Sequence, residues 1–354
     1  MLNKIYFDNF VRLNRGFDLP DNRMQEGEFP VVASTNIKGY HNEYKIEPPV
    51  VVTGRSGSLG NVQYITDKCW PLNTTLYSKD FRGNNPHYIY YYLQTMHLEQ
   101  YNAGAGVPTL NQNHLQRLKV LVHPIDEQDK IAFILSTYDS LIEVNNKRIK
   151  LLEQMAEELY KEWFVRFRFP GYETAEFENG LPKGWKVKKV KELVKRLPFG
   201  TLYKSEDAEE NGNVIIIDQS LDEFVGFHNN APSHIANIEN PIVIFGDHSC
   251  KHQLMITPFS LSENVVPYVA NDEVRTTYLY YLTHGIVETT EYKRHWSEFV
   301  AKKVLVAPIN IQDRFVDNVN SNIMFIQRLK NQNRNLIKQR DLLLPRLMSG
   351  KLEV

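Results

Sequence analysis

The chain has 354 residues, 42% hydrophobic and 23% charged, ordinary globular values with material for two or three domains at ~150 residues each. It holds no run of about 18 apolar residues, and its opening, Met1-Leu2-Asn3-Lys4-Ile5-Tyr6-Phe7-Asp8, lacks a signal peptide's apolar stretch, so neither a membrane span nor secretion is expected. Only Cys69 and Cys250 are cysteines, which argues against a disulfide framework and for a cytoplasmic chain, and a net charge of −1 confines any nucleic-acid surface to local patches.

In chain order, Arg12 and Arg15 come first, in a polar entry loop beside Gly16. Lys38-Gly39-Tyr40-His41-Asn42 then joins a cation and a flexible position to side chains that can donate to base edges. Pro49-Val50-Val51-Val52-Thr53 is a short apolar run ended by Gly54, the pattern of a buried strand. It leads into Gly54-Arg55-Ser56-Gly57-Ser58. There small residues permit close backbone approach, and Arg55, Ser56 and Ser58 can donate to phosphate or a base; a solvated hairpin turn is the plain alternative. Residues 88–101 read as a helix carrying aromatic side chains. Asn102-Ala103-Gly104-Ala105-Gly106 follows that helix rather than a strand, so it is a poor match to a cofactor-binding glycine box.

The clearest periodicity begins at Ile131. Ile131, Leu135, Tyr138, Ile142, Asn145, Ile149, Leu152, Ala156, Leu159 and Trp163 alternate steps of four and three, the seam of a coiled coil. A helix of about 38 residues is ~57 Å long. The next stretch runs from Phe169-Pro170-Gly171-Tyr172 to Leu181-Pro182-Lys183-Gly184-Trp185; with breakers at both ends it reads as a linker. Residues 181–204, Lys204 included, carry eight basic side chains against one acidic. Such a stretch can track phosphates, which gives affinity without sequence choice.

Beyond it, Gly226-Phe227-His228-Asn229 precedes a second apolar strand over residues 240–245 and the polar segment Gly246-Asp247-His248-Ser249-Cys250-Lys251-His252. His228, Asp247, His248 and Lys251 are candidate DNA contacts there. On a strand, His248, Cys250 and His252 would share a face, but a fourth metal ligand is not evident, and no metal is expected. Residues 277–290 read as a second aromatic helix. A second seam follows: Phe315, Val319, Asn322, Ile326, Leu329, Asn333, Leu336, Arg340, Leu343 and Leu347.

The second half thus repeats the first. Val120-Leu121-Val122-His123-Pro124-Ile125-Asp126-Glu127-Gln128-Asp129 returns 184 residues later as Val304-Leu305-Val306-Ala307-Pro308-Ile309-Asn310-Ile311-Gln312-Asp313, identical at seven of ten positions. Gly39-Tyr40-His41-Asn42 matches Gly226-Phe227-His228-Asn229, and the two apolar strands and two aromatic helices correspond in the same order. Residues 126–163 carry nine acidic and five basic side chains, residues 310–347 three and seven. Opposite charge favours pairing the two helices with each other over self-pairing. An antiparallel pair would set the globular parts at opposite ends of a rod and, with full overlap of the seams, Asn145 opposite Asn333; two independent amphipathic helices are the alternative.

Catalytic motifs are missing. There is no G-x-x-x-x-G-K-[ST] loop, no G-x-S-x-G elbow and no H-E-x-x-H pair, and Asn84-Asn85-Pro86-His87 does not fit the [NDS]-P-P-[YF] motif of a methyltransferase. A self-contained nuclease or methyltransferase is therefore disfavoured. A coiled-coil adaptor that never touches DNA, or a stand-alone two-domain DNA-binding regulator, remains as a rival.

The order of these blocks resembles the specificity subunit of type I restriction–modification enzymes over nearly the whole chain. Leu181-Pro182-Lys183-Gly184-Trp185 resembles the family's opening of a target-recognition domain. Arg15-Gly16-Phe17-Asp18-Leu19-Pro20 and Gly54-Arg55-Ser56-Gly57 resemble its recognition signatures. Asn102-Ala103-Gly104-Ala105-Gly106-Val107-Pro108-Thr109-Leu110-Asn111 is similar to the segment leading into its helices. Pro124-Ile125-Asp126-Glu127-Gln128-Asp129-Lys130-Ile131 and Arg346-Leu347-Met348-Ser349-Gly350-Lys351-Leu352 resemble its helix start and chain end.

The resemblance implies an α+β protein with a pseudo-two-fold internal repeat: a mixed α/β recognition domain over 1–123, a spacer helix over 124–167, a second recognition domain over 168–307 and a second helix over 308–354, the helices forming an antiparallel coiled coil. It implies that Arg12, Arg15, Lys38, Tyr40, His41, Asn42, Gly54, Arg55, Ser56, Ser58, Lys204, His228, Asp247, His248 and Lys251 meet double-stranded DNA. Ile131, Leu135, Ile142, Asn145, Ile149, Leu152, Leu159, Ile326, Leu329, Asn333, Leu336 and Leu343 would join the helices. The chain itself would be non-catalytic and hold no cofactor. S-adenosylmethionine, ATP and magnesium would belong to partners: methyltransferase subunits, expected to be two, and translocase–nuclease subunits. Two departures stand out. The first half shows no Leu-Pro-x-Gly-Trp opening, so its leading segment is expected to be short or absent, and Gly246-Asp247-His248-Ser249 replaces Gly54-Arg55-Ser56-Gly57, so the two domains are expected to read different bases.

Overall fold

Val50, Val51, Val52, Thr53 and Gly54 are all buried, which is why this strand, Val50–Gly54, has no polar alternation: both of its faces are covered. The computed structural model of the protein describes residues 2–104, 106–289, 291 and 293–354. It divides into two compact units, Met1–Asn145 with Asn331–Val354, and Asn146–Lys330. Each unit therefore holds a globular part and a share of both long helices, Ile125–Tyr160 and Ile309–Met348.

In the first unit, Val50–Gly54 lies inside a four-stranded sheet ordered Arg12–Arg15, Thr75–Asp80, Val50–Gly54, Val62–Ile65. A smaller sheet is ordered Ile37–His41, Phe29–Val32, Trp70–Pro71. Helix Pro86–Thr95 begins at Asn85, whose side chain accepts from the Tyr88 amide, with proline at its first turn. Its inner face, Tyr88, Ile89, Tyr91 and Leu93, joins Phe7, Phe10, Leu76, Ile131 and Leu135 in one core. The ribbon Asn3–Tyr6 with Lys119–Val122 leads into the first long helix.

The second unit repeats this plan. Its four-stranded sheet is ordered Val194–Arg196, Val265–Ala270, Ile242–Gly246, His252–Met255, and its smaller sheet Gly226–His228, Val214–Ile217, Phe259–Leu261. The ribbon Lys186–Lys189 with Lys303–Val306 and helix Thr276–Thr283 take the corresponding places.

Within each unit the helices run antiparallel. In the first, the Asn145 amide donates to Asn333 Oδ1 at 2.8 Å and Arg340 Nη1 donates to Asp139 Oδ1 at 2.6 Å. In the second, the Trp163 and Phe315 rings lie 6.1 Å apart, with Ala156 and Val319 buried in the same cluster. Ile131, Leu135, Asn145, Ile149, Leu329 and Asn333 are buried; Ile142, Leu152, Leu159, Ile326, Leu336 and Leu343 are half-buried.

Three local expectations need correction. The helix expected over residues 88–101 ends at Thr95, because His97 takes a left-handed φ of 49° before a single tight turn, Leu98–Tyr101. The second aromatic helix ends at Thr283, with Gly285 at φ 71° behind it. Thr290, its expected end, and Ala105 lie outside the described residues. The expected linker is anchored at both ends: Phe169 and Trp185 are buried in the second core, their rings 5.6 Å apart.

Candidate nucleic-acid interface

In the first unit, the turn after Val50–Gly54 is the focus of the polar residues. The Arg55 and Ser56 amides both donate to the Thr74 carbonyl, at 2.8 and 3.1 Å, and Arg55 Nη1 donates to the Asn73 carbonyl at 3.3 Å. Gly54 cannot be replaced: a Cβ there would sit 1.9 Å from the Ser58 carbonyl oxygen. Gly57 has φ +84°, which a side chain would strain. Ser58 and Gly57 are exposed.

The glycine-rich segment packs against this turn. Leu110 N–H donates to the Arg55 carbonyl at 2.8 Å, Gly57 N–H to the Pro108 carbonyl at 3.0 Å, and the Asn102 side chain accepts from the amides of Gly104 and Thr109. Arg15 is fixed nearby, its amide donating to Gln112 Oε1 at 3.0 Å. Two motifs that are about 50 residues apart in sequence thus form one surface. Asn61, Asn73 and Gln112 belong to this frame and were not singled out from the sequence, whereas Asn102 opens the glycine-rich segment already noted. Asn61 and Asn73 border apolar runs, and Gln112, flanked by two asparagines, carries no such signal.

Other candidates split into exposed and inward-facing groups. Arg12 pairs with Asp8 at 3.7 Å, Lys38 pairs with Asp21, Tyr40 is exposed, and Asn42 donates to Gln25 Oε1 at 2.9 Å. Lys204 is exposed beside Glu206. His41 instead is buried, its Nδ1 accepting from the Gln25 amide and its ring edge-on to Trp70. His228 is buried with Nε2 against Ser260 Oγ at 2.9 Å and its ring stacked on Tyr203, and burial holds it below the usual histidine pKa. In this structure both histidines are buried and hold turns.

The second unit's turn is also turned inward. Asp247 is buried; its Oδ1 accepts from the Trp296 amide at 2.9 Å, capping helix Trp296–Ala301, while its carbonyl accepts from His295 N–H. The Lys251 ammonium is buried under residues 218–223, donating to the carbonyls of Asp218, Asp222 and Glu223, and burial lowers its pKa. Lys251 is spent on main chain, whereas the other Asp247 carboxylate oxygen faces the exposed Arg294 at 3.8 Å; His248 is half-buried. His252 is half-buried, Nε2 against Tyr268 Oη at 2.6 Å, and desolvation pushes its pKa down to about 3. It therefore does not share an open face with His248 and Cys250, and among the described residues no three metal-ligating side chains converge.

Residues 12–154 match the sequence profile described as the type I restriction modification DNA specificity domain. The type I restriction enzyme MjaIX specificity subunit of Methanocaldococcus jannaschii is 34% identical over 116 residues, 30% of this chain and 27% of that protein. The type I restriction enzyme EcoprrI specificity subunit of Escherichia coli is 31% identical over 114 residues, 32% of this chain and 28% of that protein. These matches thus span less than a third of either relative. The solved structure of a type I restriction-modification system S subunit from M. genitalium has the same fold, with a TM-score of 0.65 at 16% identity, covering 98% of this chain and 96% of that one.

Proposed function

We propose that this chain, a member of the type I restriction–modification specificity family, reads a split DNA site, one half with each globular part, on behalf of methyltransferase subunits that dock on its helices. The carrying observation is that one sheet plan occurs twice with different turn side chains. Two readers held on helices impose a fixed separation between half-sites, and different turns select different bases. In the first unit the reading groups are Arg55, Ser56 and Ser58, with Arg12, Arg15, Lys38, Tyr40 and Asn42 on the same globular part; in the second they are Lys204 and His248. Base reading falls to the turns, and phosphate contact to the scattered cations.

Catalysis lies outside this chain in this reading. Methyl transfer to an adenine taken out of the stack belongs to the partner, together with S-adenosylmethionine; ATP and magnesium belong to translocase–nuclease subunits. Exposed Phe133, Leu141 and Val144 on the first unit's share of the long helix offer apolar surface for docking. Among the described residues no helix is long and apolar enough to cross a membrane.

The test is co-expression with the host's type I methyltransferase subunit, followed by sequencing of methylated adenines. A split motif with a constant unread gap is expected, and Arg55→Ala is expected to relax one half alone. Methylation that is the same with and without the folded chain would refute the proposal.

A further inference from the structure

In the second unit, residues 218–223 form a loop after strand Val214–Ile217. Three features of it stand together. Lys251 holds it from beneath: one buried ammonium donates to the Asp218 carbonyl at 3.2 Å, the Glu223 carbonyl at 3.4 Å, and the Asp222 carbonyl. A buried ammonium with its three donors spent on main chain fixes a backbone far more firmly than one neutral bond does. From the side, Lys330 pairs with Glu223 at 3.3 Å, and Asp218 accepts from the amide and hydroxyl of Ser220 at 3.1 and 2.6 Å. At the tip, Leu221 is 86% exposed, the most exposed large apolar side chain among the described residues.

A loop braced this heavily, with a leucine in solvent at its tip, is preorganised for contact. Its position tells what it meets. It lies against the turn that follows strand Ile242–Gly246: a Cβ on Gly246 would come 3.4 Å from Gln219 Cα. The first unit has the same arrangement. There Asn61, the residue before strand Val62–Ile65 as Lys251 is before His252–Met255, donates to the Ser34 and Thr35 carbonyls at 3.2 Å, and those residues follow strand Phe29–Val32. Both units thus tie the same loop to the same turn. The second-unit loop carries the acidic residues Asp218, Asp222 and Glu223. It would be repelled by a phosphate backbone, so its use on DNA is to reach past the phosphates to a base edge. The only apolar feature a base edge offers in the major groove is the thymine methyl group.

Resting on the specificity reading above, the geometry points to residues 218–223 as a base-reading element of the second unit, with Leu221 set against a thymine methyl group and Lys251 as the positioning residue that holds the loop. Neither residue touches a reacting atom. Leu221 discriminates by an apolar contact, and Lys251 acts through the backbone it braces.

The test uses the full chain co-expressed with its methyltransferase partner in a host free of other adenine methylation. Methylated motifs are read for wild type, Arg55→Ala, Leu221→Ser, Lys251→Met and Lys251→Gln. Arg55→Ala marks the half belonging to the first unit. Leu221→Ser is expected to make one thymine position in the other half degenerate and to lower methylation of the original site about tenfold, with the Arg55 half and the gap unchanged. Lys251→Met is expected to lower methylation through the same half, and Lys251→Gln, which keeps two donors, to restore part of it. The melting temperature of each variant separates misreading from misfolding. Should Lys251→Met fail to fold, surface Leu221→Ser still decides. An unaltered motif and yield in folded Leu221→Ser overturns this proposal while leaving the specificity reading intact. A wild-type chain that directs no split motif overturns the specificity reading itself.

Discussion

Arg55 and Asp247 occupy the same place in the two units, each directly after the glycine that ends the central strand. In both, the residue's carbonyl accepts a main-chain amide from the segment that closes the turn, Leu110 in one and His295 in the other. The side chains part company. Arg55 is half-buried, with one contact to a carbonyl, whereas Asp247 is buried as a helix cap. Matching main-chain bonds, around a turn two residues shorter in the second copy, thus leave a cation half-open in one copy and tie an anion to a helix start and to Arg294 in the other. The neighbouring brace differs in the same sense, a neutral amide at Asn61 against an ammonium at Lys251. Duplicated scaffolds keep their main-chain bonds, and turn side chains are what diverges.

The joint between sheet and long helix shows the same divergence in the core. In the first unit the Tyr91 hydroxyl donates to Asp139, which also accepts from Arg340 at 2.6 Å. In the second, the repeat places Tyr281, Ile323 and Ala156 there, all within an apolar cluster. Asp139→Ala leaves a cation and a hydroxyl without their shared acceptor and is expected to cost about 3 kcal/mol in urea unfolding of the full chain. Installing the second unit's residues, Asp139→Ile with Arg340→Ala, is expected to recover most of that loss. A double variant as unstable as the single one would show that the two joints are not interchangeable.

Acid distinguishes the units next. His252 packs against Tyr268, Tyr280, His284 and Phe299, and desolvation, with the neighbouring His284, holds its pKa at about 3. Its counterpart at the start of the matching strand is Val62. The unfolded chain protonates this histidine below about pH 6.5 and the folded chain does not, so the unfolded state binds more protons and stability falls with pH from about 6.5 toward 3. The loss is about 2 kcal/mol at pH 5. His252→Val is expected to remove that part of the acid sensitivity, measured as the pH dependence of the second unit's melting temperature. An unchanged profile would place the acid sensitivity elsewhere.

Much of this was legible in the sequence. The heptad seams, the repeat and the two all-buried strands are periodic signals over many residues, and the paired position of Asn145 and Asn333 follows from aligning them. What was not legible is which way a polar side chain on a turn points. His41, His228, Asp247 and Lys251 stand in polar, glycine-containing segments like those of Arg55 and Ser58. Their partners are supplied from other parts of the chain: the carbonyls that hold Lys251 lie about 30 residues earlier, and the amide capped by Asp247 about 50 later. No local pattern encodes that pairing. Leu221 was missed for the opposite reason, since a lone leucine in a polar loop reads as nothing until its exposure and the brace beneath it are seen together.

Arg55 and Asp247 are expected to differ least in stability and most in DNA binding. Asp247→Ala removes the side-chain acceptor at the start of helix Trp296–Ala301 and is expected to cost about 1 kcal/mol of stability, whereas Arg55→Ala, which loses one long contact to a carbonyl, is expected to cost less than about 0.5 kcal/mol. For DNA the order reverses. Arg55→Ala is expected to weaken binding of a duplex carrying the methylated motif by about tenfold, and Asp247→Ala to weaken it only as far as its fold is loosened, so that lowering the temperature restores it. Binding measured for both variants at two temperatures, beside their melting curves, separates the cases. If Asp247→Ala weakens binding equally at both temperatures without lowering the melting temperature, the buried cap is also a reading group, and the two turns are more alike in function than their side-chain geometry implies.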